Sequence, residues 1–259
     1  MLRYLAILFA VVACAENTAY EQSIAKWRVE REARLKADGG WLTVTGLFWL
    51  TEGENRVAGA PGVFVLHGTK ATFRADSGAT TEMNQTASFD AGDLTFSVIE
   101  RGGRYGVRLK DKQSKLRKEF KGLRWFPARE SYHVQAKFVP KSRQVPIDNI
   151  IGNHLQMSSP GYVVFKLNGQ EFRLEPVIEE GENELFFIFK DQTAGKETYP
   201  AGRYLYAAMP RDGKVELDFN KAYNPPCAFT PFATCPLPPR QNVLPIRIEA
   251  GELNVPTAH

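Results

Sequence analysis

The stretch from Asp218 to Glu252, DFNKAYNPPCAFTPFATCPLPPRQNVLPIRIEAGE, constrains the fold more than any other part of the chain. It holds two of the three cysteines and, between Tyr223 and Arg240, six of the sixteen prolines. A proline-rich segment poor in apolar residues stays disordered, because it cannot bury enough surface to offset its ordering entropy. This one interleaves its prolines with Tyr223, Phe229, Phe232 and Leu237. Pro225-Pro226 and Pro238-Pro239 fix φ and press the residues before them toward extended conformations. The pattern predicts a rigid, packed loop of polyproline-like character.

Just upstream, Lys214 to Asn220 alternates: Val215, Leu217 and Phe219 point to one side, Glu216, Asp218 and Asn220 to the other. Half-buried strands commonly turn such a polar side to water. If the proline-rich loop folds back instead, the strand delivers three polar groups to one covered place. DFNKAYNPPCAFTPFATCPLPP, followed by Asn242, Leu244-Pro245 and Ala250 to Glu252, resembles the C-terminal signature of the family catalogued as domain of unknown function 1684. FKDQTAGKETYPAGRYLY, from Phe189 to Tyr206, and GWLTVTGLFWLTEGENRVAG, from Gly40 to Gly59, are similar to it as well. That resemblance implies no activity and no catalytic residue.

The 259 residues suffice for a sizeable core. Apolar and charged fractions of 43% and 24% fit a globular protein and exclude disorder and multiple membrane spans. The net charge of +4 is interspersed, and the most basic run, Lys110 to Lys121, comes with no nucleic-acid-binding signature, so no nucleic-acid partner is expected. Arg3 precedes an apolar run from Tyr4 to Ala13, too short to span a bilayer but suited to a signal peptide over residues 1–14. Val11-Val12-Ala13-Cys14 resembles a lipobox that would lipidate Cys14 and anchor the chain to a membrane; cleavage at Ala13-Cys14-Ala15 is the competing reading. Either way the expectation is export, to a periplasmic or outer-surface location. An oxidising compartment would leave Cys227 and Cys235 as a disulfide pair.

Thr18 and Glu21 have capping-box spacing, Ile24, Trp27 and Leu35 form a thin apolar stripe, and Gly39 is a stop, which predicts one amphipathic helix over residues 18–38. From Trp41 the period becomes strand-like. Segments Trp41 to Leu50, Val63 to His67, Ala71 to Arg74, Leu94 to Arg101, Tyr105 to Lys110, Ser131 to Val139, Val145 to Ile151, Tyr162 to Leu167, Glu171 to Val177, Leu185 to Lys190, Arg203 to Ala208 and Ile246 to Glu249 all read as strands. Gly102-Gly103 and Asn168-Gly169 are hairpin turns. The fold class is therefore all-β, an antiparallel sandwich or barrel, with one N-terminal helix and the packed proline-rich loop. Residues 40–252 form either one β domain or two subdomains meeting near residues 122–130.

No G-x-S-x-G elbow, H-E-x-x-H or calcium-loop pattern occurs, and Ala194 to Thr198 only imitates a phosphate-binding loop. The histidines, His67, His133, His154 and His259, are scattered. No metal or cofactor is expected. A looser assembly remains: Asp191, Thr198, Tyr199 and Arg203, joined by Asp218, Asn220, Tyr223 and Asn224 if the strands through Arg203 and Asp218 pair. Together they offer an acid, an amide, a phenol and a guanidinium. Such a set suits recognition of a small molecule, and it equally suits the internal tethering of a buried loop, with an Asp191–Arg203 ion pair as its simplest form. Three functions fit: a cell-envelope ligand-binding module, an enzyme of unassigned hydrolase-like class using Asp, Tyr and Arg, or a structural lipoprotein.

Overall fold

The computed structural model describes residues 2–84 and 87–255, with side chains from Ala19 onward, so the side chain of Cys14 and those of the expected signal segment lie outside what is described. Helix α1 (Leu2–Lys36) passes through Thr18 without a break, so the Thr18–Glu21 spacing does not open it. Its C-terminal half docks at helical spacing. Ile24 and Leu35 are buried, Arg31 nearly so, and Trp27 and Arg28 pack against Trp125. The helix stops because the chain must pass close under its own end. A Cβ at Gly40 would lie 2.3 Å from the Leu35 carbonyl oxygen, so only glycine fits there. Among the described residues no helix is long and apolar enough to cross a membrane.

Strands β1 (Val44–Trp49), β2 (Gly53–Asn55), β3 (Gly62–His67), β4 (Lys70–Ala75), β5 (Thr80–Glu82), β6 (Ser88–Ala91), β7 (Leu94–Arg101) and β8 (Arg104–Asp111) make two four-stranded antiparallel sheets, ordered β1-β8-β7-β6 and β2-β3-β4-β5. They share one apolar cluster that includes Phe64, Phe73, Phe96, Val98 and Val107. The β7–β8 hairpin turns at Gly102 and Gly103, both at positive φ, as their sequence predicts.

A connecting segment with the short helix α2 (Lys115–Glu119) leads to β9 (His133–Asp148), β10 (His154–Leu167), β11 (Gln170–Leu174), β12 (Glu184–Phe189), β13 (Arg203–Ala208) and β14 (Lys214–Asp218). One sheet runs β11-β10-β9-β14, and β12 and β13 form a two-stranded ribbon against it. The fold is thus antiparallel β without a closed barrel. Ser131 to Val139 and Val145 to Ile151, read as two strands, are joined in β9. Pro140 is accommodated where the register with β10 shifts between Ser159 and Gly161. Ile246 to Glu249, expected to be a strand, is irregular, and the Ile248 N–H bonds the Asp191 carboxylate instead of a ladder partner.

The run LFFIF in β12 is apolar on both faces because both are covered. Leu185, Phe187 and Phe189 enter the core shared with Phe165, Leu217 and Phe219. Phe186 and Ile188 point the other way, toward Val145, Ile147, Cys227, Ala233 and Cys235. Each of these side chains contributes roughly 1.5–3 kcal/mol by burial. The proline-rich loop is therefore the second cover of β12, packed as its aromatic anchors predict.

Candidate functional site

The eight polar residues singled out in the sequence converge only in part. β13 pairs with β12 and β14 with β9, and β13 is linked to the segment just after β14 at Tyr204 and Tyr223, which exchange both backbone hydrogen bonds. The eight divide among three places.

Asp191, Thr198 and Arg203 belong to a sealed cluster. Asp191 Oδ1 accepts from Arg203 Nη2 at 3.1 Å, and its Oδ2 accepts the Ile248 N–H at 2.7 Å. The Thr193 hydroxyl lies 2.9 Å from both carboxylate oxygens and 2.8 Å from the Thr198 hydroxyl. Arg203 also donates through Nη2 to the Ile248 carbonyl and through Nη1 to that of Ala250. Arg203 is 1% exposed and its pKa is lowered by burial, with Asp191 opposing that shift. Nothing enters here. The cluster fastens the irregular segment 246–250, whose backbone groups have no sheet to join.

Tyr199 stands elsewhere, donating to the Cys227 carbonyl at 3.0 Å, its phenol pushed up by burial. The expected Cys227–Cys235 disulfide is not formed: both cysteines are free and buried. The Cys227 N–H donates to Cys235 Sγ at 3.1 Å. The hydrogen bond between the thiols lowers the pKa of Cys227 and raises that of Cys235. The loop needs no covalent closure to hold this shape. Backbone bonds from Ala228 to Pro225 and from Ile150 to Cys235 fix it, and the cysteines pack beside Phe186 and Tyr204 as small apolar residues.

Asp218, Asn220, Tyr223 and Asn224 gather at the third place, under α1. The cover comes from the helix rather than from the proline-rich loop. Glu216 faces outward as strand alternation predicts, but Asp218 and Asn220 are buried because Tyr20 reaches down to them. The Tyr20 hydroxyl donates to Asp218 Oδ1 at 2.9 Å and accepts from Asn220 Nδ2 at 2.8 Å, while its ring stacks on His133. Burial, followed by the Asp218 charge, raises the Tyr20 pKa. Asn220 is fixed further through its side chain to both backbone groups of Arg129.

Beside this contact, α1 and the strand ends leave a cleft of about 490 Å³. Trp27, Arg31 and Arg34 of α1 form one wall, and Tyr206, Asp218 and Tyr223 stand among the residues opposite. Tyr206 and Tyr223 are stacked, and the Tyr206 hydroxyl donates to Glu179. Burial raises the pKa of both phenols.

Arg31 and Glu252 lie behind that floor. The Arg31 guanidinium sits 4.4 Å above the Tyr223 ring, donates from Nη2 to the Asn224 carbonyl at 3.0 Å, and brings Nε within 3.5 Å of Glu252 Oε2. Glu252 is fully buried, and neither carboxylate oxygen has a well-formed hydrogen bond. Burial pushes its pKa up to about 7, against the pull of Arg31 and weaker help from Asn224. Gly251 makes this burial possible. It holds φ +81°, and a Cβ there would lie 2.4 Å from the Ala222 carbonyl oxygen.

The sequence reading missed Tyr20, Arg31, His133, Tyr206 and Glu252. Arg31 had a signal, since it falls on the Ile24, Trp27 and Leu35 stripe, where a cation must find a partner. Glu252 had one too, as the acid of an otherwise small and apolar Ala-Gly-Glu.

Fold and site together define an antiparallel β protein whose C-terminal sheets are partly covered by an N-terminal helix over a polar cleft. A family model described as Protein of unknown function (DUF1684) matches residues 118–253, just over half of the chain, and the chain belongs to that family. The match takes in β9 to β14, the proline-rich loop and Glu252; GWLTVTGLFWLTEGENRVAG lies outside it. The chain is also similar to the solution NMR structure of an uncharacterized protein from gene locus rrnAC0354 of Haloarcula marismortui. That likeness has 30% identity, covers 53% of this chain and 78% of that one, and has a TM-score of 0.45. No curated protein matches.

Proposed function

We propose that the chain is a small-molecule-binding β module of the cell envelope, with its ligand in the cleft between α1 and the ends of β13 and β14. The cleft carries this reading. Its volume of about 490 Å³ suits a small ligand, and it combines the stacked Tyr206 and Tyr223 with positioned polar groups. The envelope location and a lipid anchor on Cys14 form the second half of the proposal, supported by the apolar run ahead of Cys14.

Catalysis has one observation in its favour, the Glu252 carboxyl held near neutrality. A general acid or base must reach the proton it moves, and Arg31 and Tyr223 line the cleft where Glu252 does not. Binding is therefore the better-supported function.

The test is native mass spectrometry of the chain purified from its own cells, compared with Ala208→Trp. Ala208 lines the cleft from an exposed position, so an indole there fills space without disturbing the core. Wild type is expected to carry an added mass that is lost on denaturation and absent from the variant. Equal retention by both would remove the cleft from consideration. Labelling with a radioactive fatty acid tests the anchor, and label that persists in Cys14→Ser would refute it.

A further inference from the structure

The charges of the cleft do not cancel evenly. Among its carboxylates, Asp218 has Lys221 Nζ at 3.5 Å and accepts from Tyr20, and Glu216 has His133 Nε2 at 3.5 Å and accepts from Gln135. Glu184, at the start of β12, stands exposed without an ion pair among the described residues. The helix wall is different. Arg34 lies one turn beyond Arg31 on the same face and makes no ion pair among the described residues.

Arg31 is the more informative of the two. It is 8% exposed yet lines the cleft, and its setting is built rather than incidental. Tyr223 supports one face of the guanidinium, the Asn224 carbonyl takes Nη2, and Glu252 Oε2 stands 3.5 Å from Nε on the buried side. Nη1 makes no hydrogen bond among the described residues. A guanidinium immobilised this way has already lost the rotamer freedom that anion binding would otherwise remove. Its planar donor edge matches a carboxylate or phosphate, and Arg34 adds a second cation at i+3 spacing.

We propose, building on the cleft reading above, that the ligand is a small anion bearing an aromatic or other planar group. Its carboxylate or phosphate is bound by Arg31 and Arg34, and its planar part lies against Trp27 and Tyr206. Glu252 is a positioning residue that acts through Arg31. Lys221 offsets the charge of Asp218, and the unpaired Glu184 stands across the cleft at the start of β12, away from the helix wall that carries Arg31 and Arg34.

The experiment uses ligand-observed NMR with phenyl phosphate and benzoate as anionic probes, benzyl alcohol as the neutral one and benzylamine as the cationic one. The two anions are expected to bind wild type at millimolar concentration and to outcompete the other probes. Arg34→Gln, at an exposed position, should weaken both anions about tenfold, the loss expected for one charge-assisted contact. Arg31→Met combined with Glu252→Gln removes the buried pair together, so no charge is stranded, and it should weaken them at least as much. In Glu252→Gln alone, loosening of Arg31 should lower anion affinity while leaving benzyl alcohol unchanged.

Anion binding equal to that of benzyl alcohol, no anion binding at all, or unchanged affinity in both arginine variants would overturn the ligand class. Anion binding undiminished by Ala208→Trp would instead refute the cleft itself. The two failures are therefore distinct.

Discussion

Asp191 and Asp218 start from similar circumstances. Each follows or ends a strand of the C-terminal half, each is buried, and each accepts hydrogen bonds from its own local backbone. They end in different surroundings. Asp191 is enclosed by Arg203, Thr193 and the Ile248 N–H, all drawn from the C-terminal part of the chain, and both of its oxygens are occupied. Asp218 is covered by Tyr20 from a helix at the opposite end of the chain, and it stays at the edge of an open cleft. A buried carboxylate satisfied on all sides fixes a loop. One that shares its cover with a cleft keeps space for something else. Enclosure distinguishes the two, and Glu252 makes a third case, a fully buried acid with no well-formed hydrogen bond.

The largest expected effect breaks the sealed cluster. Arg203→Ala strands the buried Asp191 charge and should cost about 3–5 kcal/mol of stability, read as a fall in the urea midpoint. Asp191→Asn combined with Arg203→Met removes both charges and should recover a large part of that loss. If Arg203→Ala unfolds at the wild-type midpoint, the cluster is not structural and the contrast fails. From the sequence alone this arginine suits recognition of a ligand and, equally, a tethering ion pair with Asp191, and the ion pair is what forms.

Glu252 gives the next effect, through pH. Its carboxyl has an ordinary value of 4.5 and is raised to about 7 in the folded chain. Between those values the folded state keeps a proton that the unfolded state has released. The resulting stabilisation is full below about pH 4.5 and disappears as pH rises through about 7, a change of about 3 kcal/mol. Glu252→Gln mimics the protonated acid, so the stability difference between variant and wild type should move in the variant's favour by that amount across the window. Parallel urea midpoints for the two proteins at every pH would show that Glu252 titrates normally.

Tyr20→Phe tests the cover of Asp218 and should cost about 1–2 kcal/mol, since it removes one donor and one acceptor from a partly buried trio. The effect should be local. Hydrogen exchange ought to speed up along α1 around residue 20 and leave β12 unchanged. Equal acceleration in both places would mean that the two regions unfold as one unit and are not separable in the way their geometry implies.

The alternation from Val215 to Phe219, the two-faced apolar run of β12 and both hairpin turns follow from local periodicity and turn chemistry, so the sequence displays them openly. Strand partnership does not. Nothing near Arg203 or Asp218 records that β13 takes β12 and β14 takes β9 as ladder partners, with Tyr204 and Tyr223 linking β13 to the segment just after β14. The cover of Asp218 was equally hidden, since Tyr20 lies 198 residues away. The cysteines misled for another reason. Their spacing and an expected exporting leader fit a disulfide, whereas the loop is held by backbone bonds and burial that no cysteine count reveals.

The smallest expected effect on stability sharpens the comparison most. Arg34 is exposed and makes no ion pair among the described residues, so Arg34→Gln should leave the urea midpoint within about 0.5 kcal/mol of wild type. No member of the sealed cluster should allow this, because each of them has a partner that its loss would strand. A small cost to the fold combined with a loss of anion affinity would separate Arg34 from the sealed cluster, whose members all hold the fold together. If Arg34→Gln destabilises by more than 1 kcal/mol, Arg34 supports α1 itself, and the open cluster becomes a second structural tether like the first.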